Sequence, residues 1–226
     1  MADVILSCVD LAKTYATERG EIDAVQGIDL EVRAGEFASI VGRSGSGKSS
    51  FLAMIGGLSR PSRGSVRIED TDIWTLSDDH LADFRNRRIG FVYQFSSLLP
   101  TLRIIDNVVL PARLDPARDA AAAYRRARQW LDQFALSDYL EAYPSEISSG
   151  EQRRAVIARA LINEPALLLA DEPTSDLDEV TESEIMDRFR GLNRRHSLTM
   201  IIVTHNLRLA EQTDRVVHIS DGRLAA

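Results

Sequence analysis

The stretch FASIVGRSGSGKSS at residues 37–50 joins an apolar run to a glycine-rich turn. From Gly42 to Ser49 it matches the pattern G-x-x-x-x-G-K-[ST] at every fixed position. Glycines let the backbone fold tightly, so that several N–H groups converge on one anion, and a helix that starts there adds the positive end of its dipole. A strand pattern precedes the loop and a helical pattern follows it, which is the context that this motif needs. The stretch therefore predicts a loop that cradles the phosphate groups of a nucleotide.

Two side chains of this loop have separate expected roles. Lys48 would reach the β- and γ-phosphates, and Ser49 would offer its hydroxyl to Mg²⁺. ATP and Mg²⁺ are therefore the expected cofactors. The candidate ATP-binding residues of the loop are Gly42, Arg43, Ser44, Gly45, Ser46, Gly47, Lys48, Ser49 and Ser50.

A second segment, LLLADE at residues 167–172, supplies two acids at the end of a buried strand pattern. In α/β sheets, ligands bind at the carboxyl ends of the strands. Asp171 is the candidate Mg²⁺ ligand, directly or through water. Glu172 is the candidate base that orients and deprotonates the attacking water. The alternative is a strand that merely ends in an acidic turn.

The composition narrows the function classes. The chain has 226 residues and a formal net charge of −7, so no basic face for a nucleic-acid partner is expected. Its single cysteine, Cys8, excludes an internal disulfide. The N-terminus does not have the pattern of a signal peptide, and no apolar run approaches the roughly 20 residues of a membrane span. The chain is therefore expected to be soluble, with any pore on another chain.

Apolar runs of strand length alternate with helical patterns along the chain, which is typical of an α/β fold with a mainly parallel sheet. Strands are expected at residues 5–9, 24–32, 37–41, 65–68, 89–93, 166–170, 200–204 and 216–219. Residues 104–159 are helical in pattern. We therefore expect one domain, with a core built from residues 1–93 and 164–226 and a helical subdomain inserted at about 94–163.

The segment ISSGEQR at residues 147–153 is a second small-residue turn before a helical run, and therefore a second candidate anion-binding turn. It resembles the signature of ABC ATPases, usually LSGGQ. The resemblance covers essentially the whole chain and implies a P-loop NTPase core with an antiparallel N-terminal β subdomain and an inserted helical subdomain. It also implies that two copies pair head to tail around two ATP molecules. The residues expected to contact ATP across that dimer are Ser148, Ser149, Gly150, Glu151 and Asp176.

The resemblance also assigns roles to smaller motifs. Tyr15 matches the aromatic residue that stacks on adenine, although simple packing is an alternative. Gln94 matches the glutamine that senses the γ-phosphate and the metal, and His205 matches the switch histidine; both could instead be capped strand ends. The candidate catalytic residues are Glu172, His205, Gln94 and Lys48, and the candidate Mg²⁺ ligands are Ser49, Gln94 and Asp171.

Three positions depart from the family pattern. Ile147 replaces the usual Leu, and Ser149 replaces the first glycine of the signature, which puts a Cβ where close backbone approach is wanted and would weaken closure or slow turnover. Asp176 adds charge near the dimer seam. None of these changes removes a group that does chemistry, so hydrolysis is still expected.

Residues 90–108 resemble the corresponding stretch in the LolD, MacB and FtsE group of ABC ATPases. That resemblance implies a membrane subunit docked near Phe95, Leu98 and Leu99, although each of these could pack inside the helical lobe instead. The expected function is an ATP-hydrolysing subunit of the LolD or MacB type, which serves lipoprotein release or export, at the inner face of the cell membrane. The alternatives are an FtsE-like ATPase that gates a partner without moving a substrate and, disfavoured by the acidic charge and the single cassette, a soluble ABC ATPase.

Overall fold

Two β-sheets set the architecture of the chain. The computed structural model describes residues 3–18, 20–95, 97–115 and 117–225. The strands of these residues are β1 (Val4–Thr17), β2 (Gly20–Arg33), β3 (Phe37–Val41), β4 (Arg63–Ile68), β5 (Thr71–Asp72), β6 (Ile89–Val92), β7 (Leu167–Asp171), β8 (Thr199–Val203), β9 (Arg215–Ser220) and β10 (Arg223–Leu224). One sheet has the order β2-β1-β4-β5 and is antiparallel, and the other has the order β10-β9-β3-β8-β7-β6 and is parallel apart from its β10 edge.

The central strands of the parallel sheet are apolar on both faces because both faces are covered. Leu167, Leu169 and Ile201 belong to an apolar cluster shared with the antiparallel sheet. The alternate residues Leu168 and Met200 belong to a second cluster, shared with the helices. This period-two division explains why LLLA and MIIV read as continuous hydrophobic runs in the sequence.

Seven α-helices in the described residues surround or extend these sheets. They are α1 (Lys48–Ile55), α2 (Asp78–Arg88), α3 (Ile104–Arg113), α4 (Ala120–Gln133), α5 (Ser149–Leu161), α6 (Glu179–His196) and α7 (Leu207–Ala210). Sequence patterning did not predict α2. Only Leu81 of that helix is buried, so it has no apolar stripe, and its start is marked instead by Ser77, whose hydroxyl accepts a hydrogen bond from the His80 N–H at 3.4 Å.

Helices α3, α4 and α5 come between β6 and β7 in the chain and share one apolar cluster with the parallel sheet. The buried face of α4 is formed by Ala123, Ala127, Trp130 and Leu131, which recur at helical spacing. This cluster runs without a break from the helices into the sheet, so packing does not mark where one subdomain ends. The helical subdomain at about 94–163 therefore stays a prediction.

The parallel register brings three loops to one edge of the sheet. Ile40 of β3 pairs with Val203 of β8, and Val203 pairs with Asp171 of β7. The segments that follow these strands therefore begin at the same level, and they carry the glycine-rich loop, the two acids and His205. Within the described part of the chain, none of the helices has the length and apolar character that crossing a membrane requires.

Candidate functional site

The glycine-rich loop after β3 folds around the Lys48 side chain. The Lys48 ammonium donates hydrogen bonds to the carbonyl oxygens of Gly42 at 2.8 Å and Arg43 at 2.9 Å. Gly47 immediately precedes α1 with a φ of 98°, and a Cβ there would lie 2.1 Å from the carbonyl oxygen of Ala24. Close packing and a left-handed backbone therefore both demand glycine at this position. The result is a closed loop that places a positive charge at the N-terminus of a helix, as an anion site requires.

Asp171, the last residue of β7, places its carboxyl group beside Ser49 and Lys48 of this loop. Its Oδ1 atom is buried and has no hydrogen-bond partner among the described residues. Burial raises the pKa of the Asp171 carboxyl and the neighbouring Glu172 charge adds to the rise, whereas a hydrogen bond with Ser49 and the charge of Lys48 oppose it. A buried carboxylate oxygen left unpaired beside a serine hydroxyl fits a hard cation such as Mg²⁺, which takes oxygen ligands.

Glu172 follows Asp171 and turns the chain away from the sheet. Its φ of 45° lies in the left-handed region, which costs a residue with a Cβ roughly 1–2 kcal/mol, and its N–H donates to the carbonyl of Val203 at 2.9 Å. The Oε2 atom of Glu172 lies 3.0 Å from Nδ1 of His205. Two of the four predicted catalytic side chains thus form a pair at the carboxyl edge of the sheet.

The signature segment forms the start of α5. The Ser148 hydroxyl accepts from the Glu151 N–H at 3.3 Å, while the Ser148 N–H and O–H each donate to Oε2 of Glu151 at 2.7 Å. These bonds from Ser148 lower the pKa of the Glu151 carboxyl. Gly150 packs tightly, since a Cβ there would lie 3.1 Å from Cγ2 of Thr181. No hydrogen bond or ion pair of the described residues joins this turn to the glycine-rich loop of the same chain.

Comparison with known proteins agrees with this geometry. Residues 25–175 match the family model described as ABC transporter. The chain belongs to this family. Its predicted identity as an ABC ATPase and its predicted P-loop NTPase fold are therefore confirmed.

Several ABC proteins resemble the chain over nearly its whole length. It is 43% identical to a lipoprotein-releasing system ATP-binding protein LolD of Geobacter metallireducens, over 98% of each chain. It is 40% identical to a macrolide export ATP-binding/permease protein MacB of Rhodopirellula baltica, over 95% of this chain but 32% of the relative. Its fold matches the dimeric structure of the bacterial ABC transporter cassette MJ0796 with a TM-score of 0.90 and 36% identity, over 98% of this chain and 97% of that one. A second structure of MJ0796, in a post-hydrolysis state bound to ADP and Pi, gives the same TM-score.

Two further predicted site residues of this ABC cassette, Tyr15 and Gln94, have different surroundings. Tyr15 is 39% exposed, and its hydroxyl lies 3.5 Å from the Ser50 hydroxyl at the start of α1. The Lys13 ammonium lies 5.0 Å from the centre of the Tyr15 ring. Gln94 follows β6 and is held through its backbone carbonyl, which accepts a hydrogen bond from Arg153 at 2.5 Å.

Arg153 supports the segment that carries Gln94, a role that the sequence did not reveal. It is only 4% exposed, and its guanidinium also donates to the carbonyl of Tyr93 at 2.6 Å. Burial lowers the pKa of Arg153, and the charge of Asp176 opposes that change. The guanidinium thus ties the signature helix to the segment that carries Gln94. A sequence signal exists: Arg153 is four residues before Ile157 and therefore on the same apolar face of α5.

The three side chains expected near a docked membrane subunit differ in their exposure. Phe95 is 72% exposed and Leu99 is 43% exposed, but Leu98 is only 8% exposed and belongs to the apolar cluster of the helices. For Leu98 the structure therefore favours the alternative of packing inside the helical lobe, and docking near these residues stays a prediction. The buried Asn107 holds the segment in this orientation: its amide accepts from the N–H of Leu99 at 2.7 Å and donates to the Leu99 carbonyl at 3.1 Å.

Proposed function

We propose that this ABC ATPase hydrolyses ATP in two composite sites shared by two copies of the chain, and that the cycle drives a separate membrane subunit. The observation that carries the proposal is the pair of Glu172 and His205 beside Asp171, whose buried oxygen has no partner in the described residues. A base, a histidine and a candidate metal ligand meet at the loop that holds Lys48. This is the set of groups that phosphoryl transfer to water requires.

The roles proposed for the residues follow from their chemistry. Lys48 binds the β- and γ-phosphates, which replace the loop carbonyls as its partners. Glu172 orients the attacking water and accepts its proton, while His205 holds the carboxylate and reaches toward the γ-phosphate. Ser49, Gln94 and Asp171 would hold Mg²⁺, which would supply positive charge to offset that of the phosphate oxygens.

The proposed dimer completes each site with the signature turn of the second copy. Ser148 and Ser149 are exposed at the start of α5, where the free end of a helix dipole favours an anion. The turn makes no polar contact with the nucleotide loop of its own chain among the described residues, so a second copy is needed to bring the two together. The same head-to-tail arrangement brings Gly150, Glu151 and Asp176 to the seam. The dimeric form of the similar cassette MJ0796 supports this arrangement.

The docking surface proposed for the membrane subunit is an apolar groove of about 400 Å³ between α2, α3 and the end of α5. Its apolar lining includes Leu58, Phe91, Tyr93, Leu110, Pro111 and Leu114. Arg159 also lines this groove and donates to the carbonyl of Ser97 at 2.7 Å, which ties the segment carrying Phe95 and Leu99 to the rim. An apolar helix of a membrane subunit would cover these exposed side chains.

The substrate class is inferred from the relatives. Several relatives at 40–43% identity are ATP-binding proteins of lipoprotein-releasing systems. We propose lipoprotein release as the first candidate and export of the MacB kind as the second. The chain would then lie at the inner face of the cell membrane, held there by its membrane subunit.

A pull-down from detergent-solubilised membranes, followed by mass spectrometry, tests the proposed partnership. A partner with four transmembrane helices and a large extracytoplasmic domain is the expected result. Capture of a protein with a dozen helices and no such domain, or of nucleic acid in its place, would overturn this choice. A vesicle assay with a fluorescent lipopeptide then separates release from export of small molecules.

A further inference from the structure

Glu182, on the first turn of α6, connects two loops at the candidate active site. Its Oε1 atom accepts a hydrogen bond from the Thr174 hydroxyl at 3.1 Å. The side-chain amide of Asn206 donates to the same carboxylate, at 3.3 Å to Oε1 and 3.2 Å to Oε2. Thr174 is two residues after Glu172, and Asn206 immediately follows His205. One carboxylate therefore bridges the two segments that carry the catalytic pair.

The two loops and Glu182 form a closed ring of contacts. One side is the direct contact of 3.0 Å between Glu172 and His205, and the other is the bridge through Glu182. The segments between these points are short, so a shift of either loop would have to break one of the two connections. Thr174 is 4% exposed and therefore offers a firm anchor on one side of the ring.

The side-chain amide of Asn206 is fixed in one orientation because it also caps α7. Its Oδ1 atom accepts from the N–H of Arg208 at 3.1 Å and so caps α7. Its backbone N–H donates to the hydroxyl of the buried Thr204 at 3.0 Å. A flipped amide would turn its NH₂ group toward the Arg208 N–H, so only the observed orientation satisfies both α7 and Glu182.

We propose that Glu182 is a positioning residue for hydrolysis: it holds the loop of His205 in register with Glu172. The inference rests on the roles proposed above for Glu172 and His205. The His205 side chain is 68% exposed, so packing does little to fix it and the polar bridge must supply the constraint. Glu182 acts through Asn206 and Thr174 and has no contact with the glycine-rich loop among the described hydrogen bonds. It should therefore affect the chemical step more than ATP binding.

Replacement of the carboxylate gives the first test. Glu182→Ala in the full-length chain should lower kcat about tenfold, since small misplacements of reacting groups are costly, while KM for ATP changes less than about twofold. The matched control is Glu184→Ala. Glu184 lies on the same helix, is exposed and is not part of the bridge, so its variant should keep the parental kcat.

A pair of reciprocal substitutions separates positioning from general stability. Glu182→Gln sets an amide NH₂ group against the NH₂ group of Asn206, and Asn206→Asp sets two carboxylates against each other. Each single variant should lower kcat. In the double variant the new Gln amide donates to the new Asp carboxylate, which still caps α7, so kcat should recover to within about threefold of the parental value.

The outcomes distinguish this inference from the proposed function. If Glu172→Gln abolishes turnover while Glu182→Ala and Asn206→Asp both keep the parental kcat, Glu182 has no positioning role and only this inference fails. The inference would also be overturned if the relative kcat of the double variant did not exceed the product of the relative kcat values of the two single variants. If Glu172→Gln itself hydrolyses ATP at the parental rate, the proposed function fails first.

Discussion

The Glu172 carboxylate lies 3.0 Å from Nδ1 of His205, although the two residues are 33 positions apart in the chain. Only 16% of the Glu172 side chain is exposed, compared with 68% of the His205 side chain. The carboxylate is thus sheltered, while the imidazole is largely exposed and free to meet the nucleotide that is proposed to bind the Lys48 loop of the same chain. This arrangement suits a base that becomes fully assembled only when the dimer closes.

The first prediction concerns that carboxylate. Glu172→Gln keeps the shape of the side chain but removes the proton acceptor, so turnover should fall by at least about 100-fold while ATP still binds. The variant should then form a long-lived dimer with Mg²⁺ and ATP, measured by size-exclusion chromatography with light scattering. Glu184→Gln, on the exposed face of α6, is the control. Parental hydrolysis by Glu172→Gln would show that another group is the base.

The second prediction concerns the pH dependence of stability at the signature turn. The Ser148 hydrogen bonds hold the pKa of Glu151 below its ordinary value of 4.5. Because the folded pKa is lowered, this stabilisation is complete above the ordinary value and is lost as the pH falls through the lowered folded value. The difference in free energy of unfolding between the parental chain and Glu151→Gln should therefore be constant near neutral pH and shrink below about pH 4.5.

Urea denaturation of both proteins between about pH 7 and about pH 3 measures this difference. Most other carboxylates titrate alike in the two proteins, so their contributions cancel. A difference that stays the same over the whole range would contradict the role of Glu151 as a charged cap.

The third prediction concerns the buried arginine of α5. Arg153→Met fills much of the same volume but leaves the part-buried carbonyls of Tyr93 and Gln94 without their donor, and an unpaired group costs up to about 1–3 kcal/mol when it is buried. We expect the free energy of unfolding to fall by about 2 kcal/mol or more. Arg194→Met, at the exposed end of α6, should change it by less than about 0.5 kcal/mol. Equal stability of the two variants in urea would show that the Arg153 guanidinium is dispensable.

The fourth prediction separates docking from folding in the segment after Gln94. Phe95→Ala should keep the melting temperature and the ATPase rate of the isolated chain but reduce recovery of the membrane subunit in a pull-down, because an exposed anchor is lost. Leu98→Ala should instead destabilise the chain by about 2 kcal/mol or more, since it empties a core position. If Phe95→Ala recovers as much membrane subunit as the parental chain, Phe95 is not part of the docking surface.

Much of the fold was predictable because its signals are local. The glycine loop, the buried strands and the signature turn each carry a residue pattern set by backbone geometry, so short stretches were sufficient to locate them. Helix α2 was not predicted from the sequence because a largely exposed helix needs no apolar stripe. For Leu98 the sequence left docking and core packing both open, because an apolar residue in a loop looks the same in sequence whether it faces a partner or the core. The individual roles of the site residues stay predictions until the variants above are measured.

The sequence by itself determined which groups are available: a lysine in a glycine-rich loop, two acids after a buried strand, a histidine after the next strand and a second anion-binding turn. It also determined the family, because those motifs occur in a fixed order. Only the tertiary structure decided which of these groups meet. The pairing of Glu172 with His205, the bridge through Glu182 and the burial of Arg153 all join residues far apart in the chain. Hydrogen bonds depend on distances of a few ångströms between atoms, and the parallel sheet register sets those distances, whereas the order of residues does not.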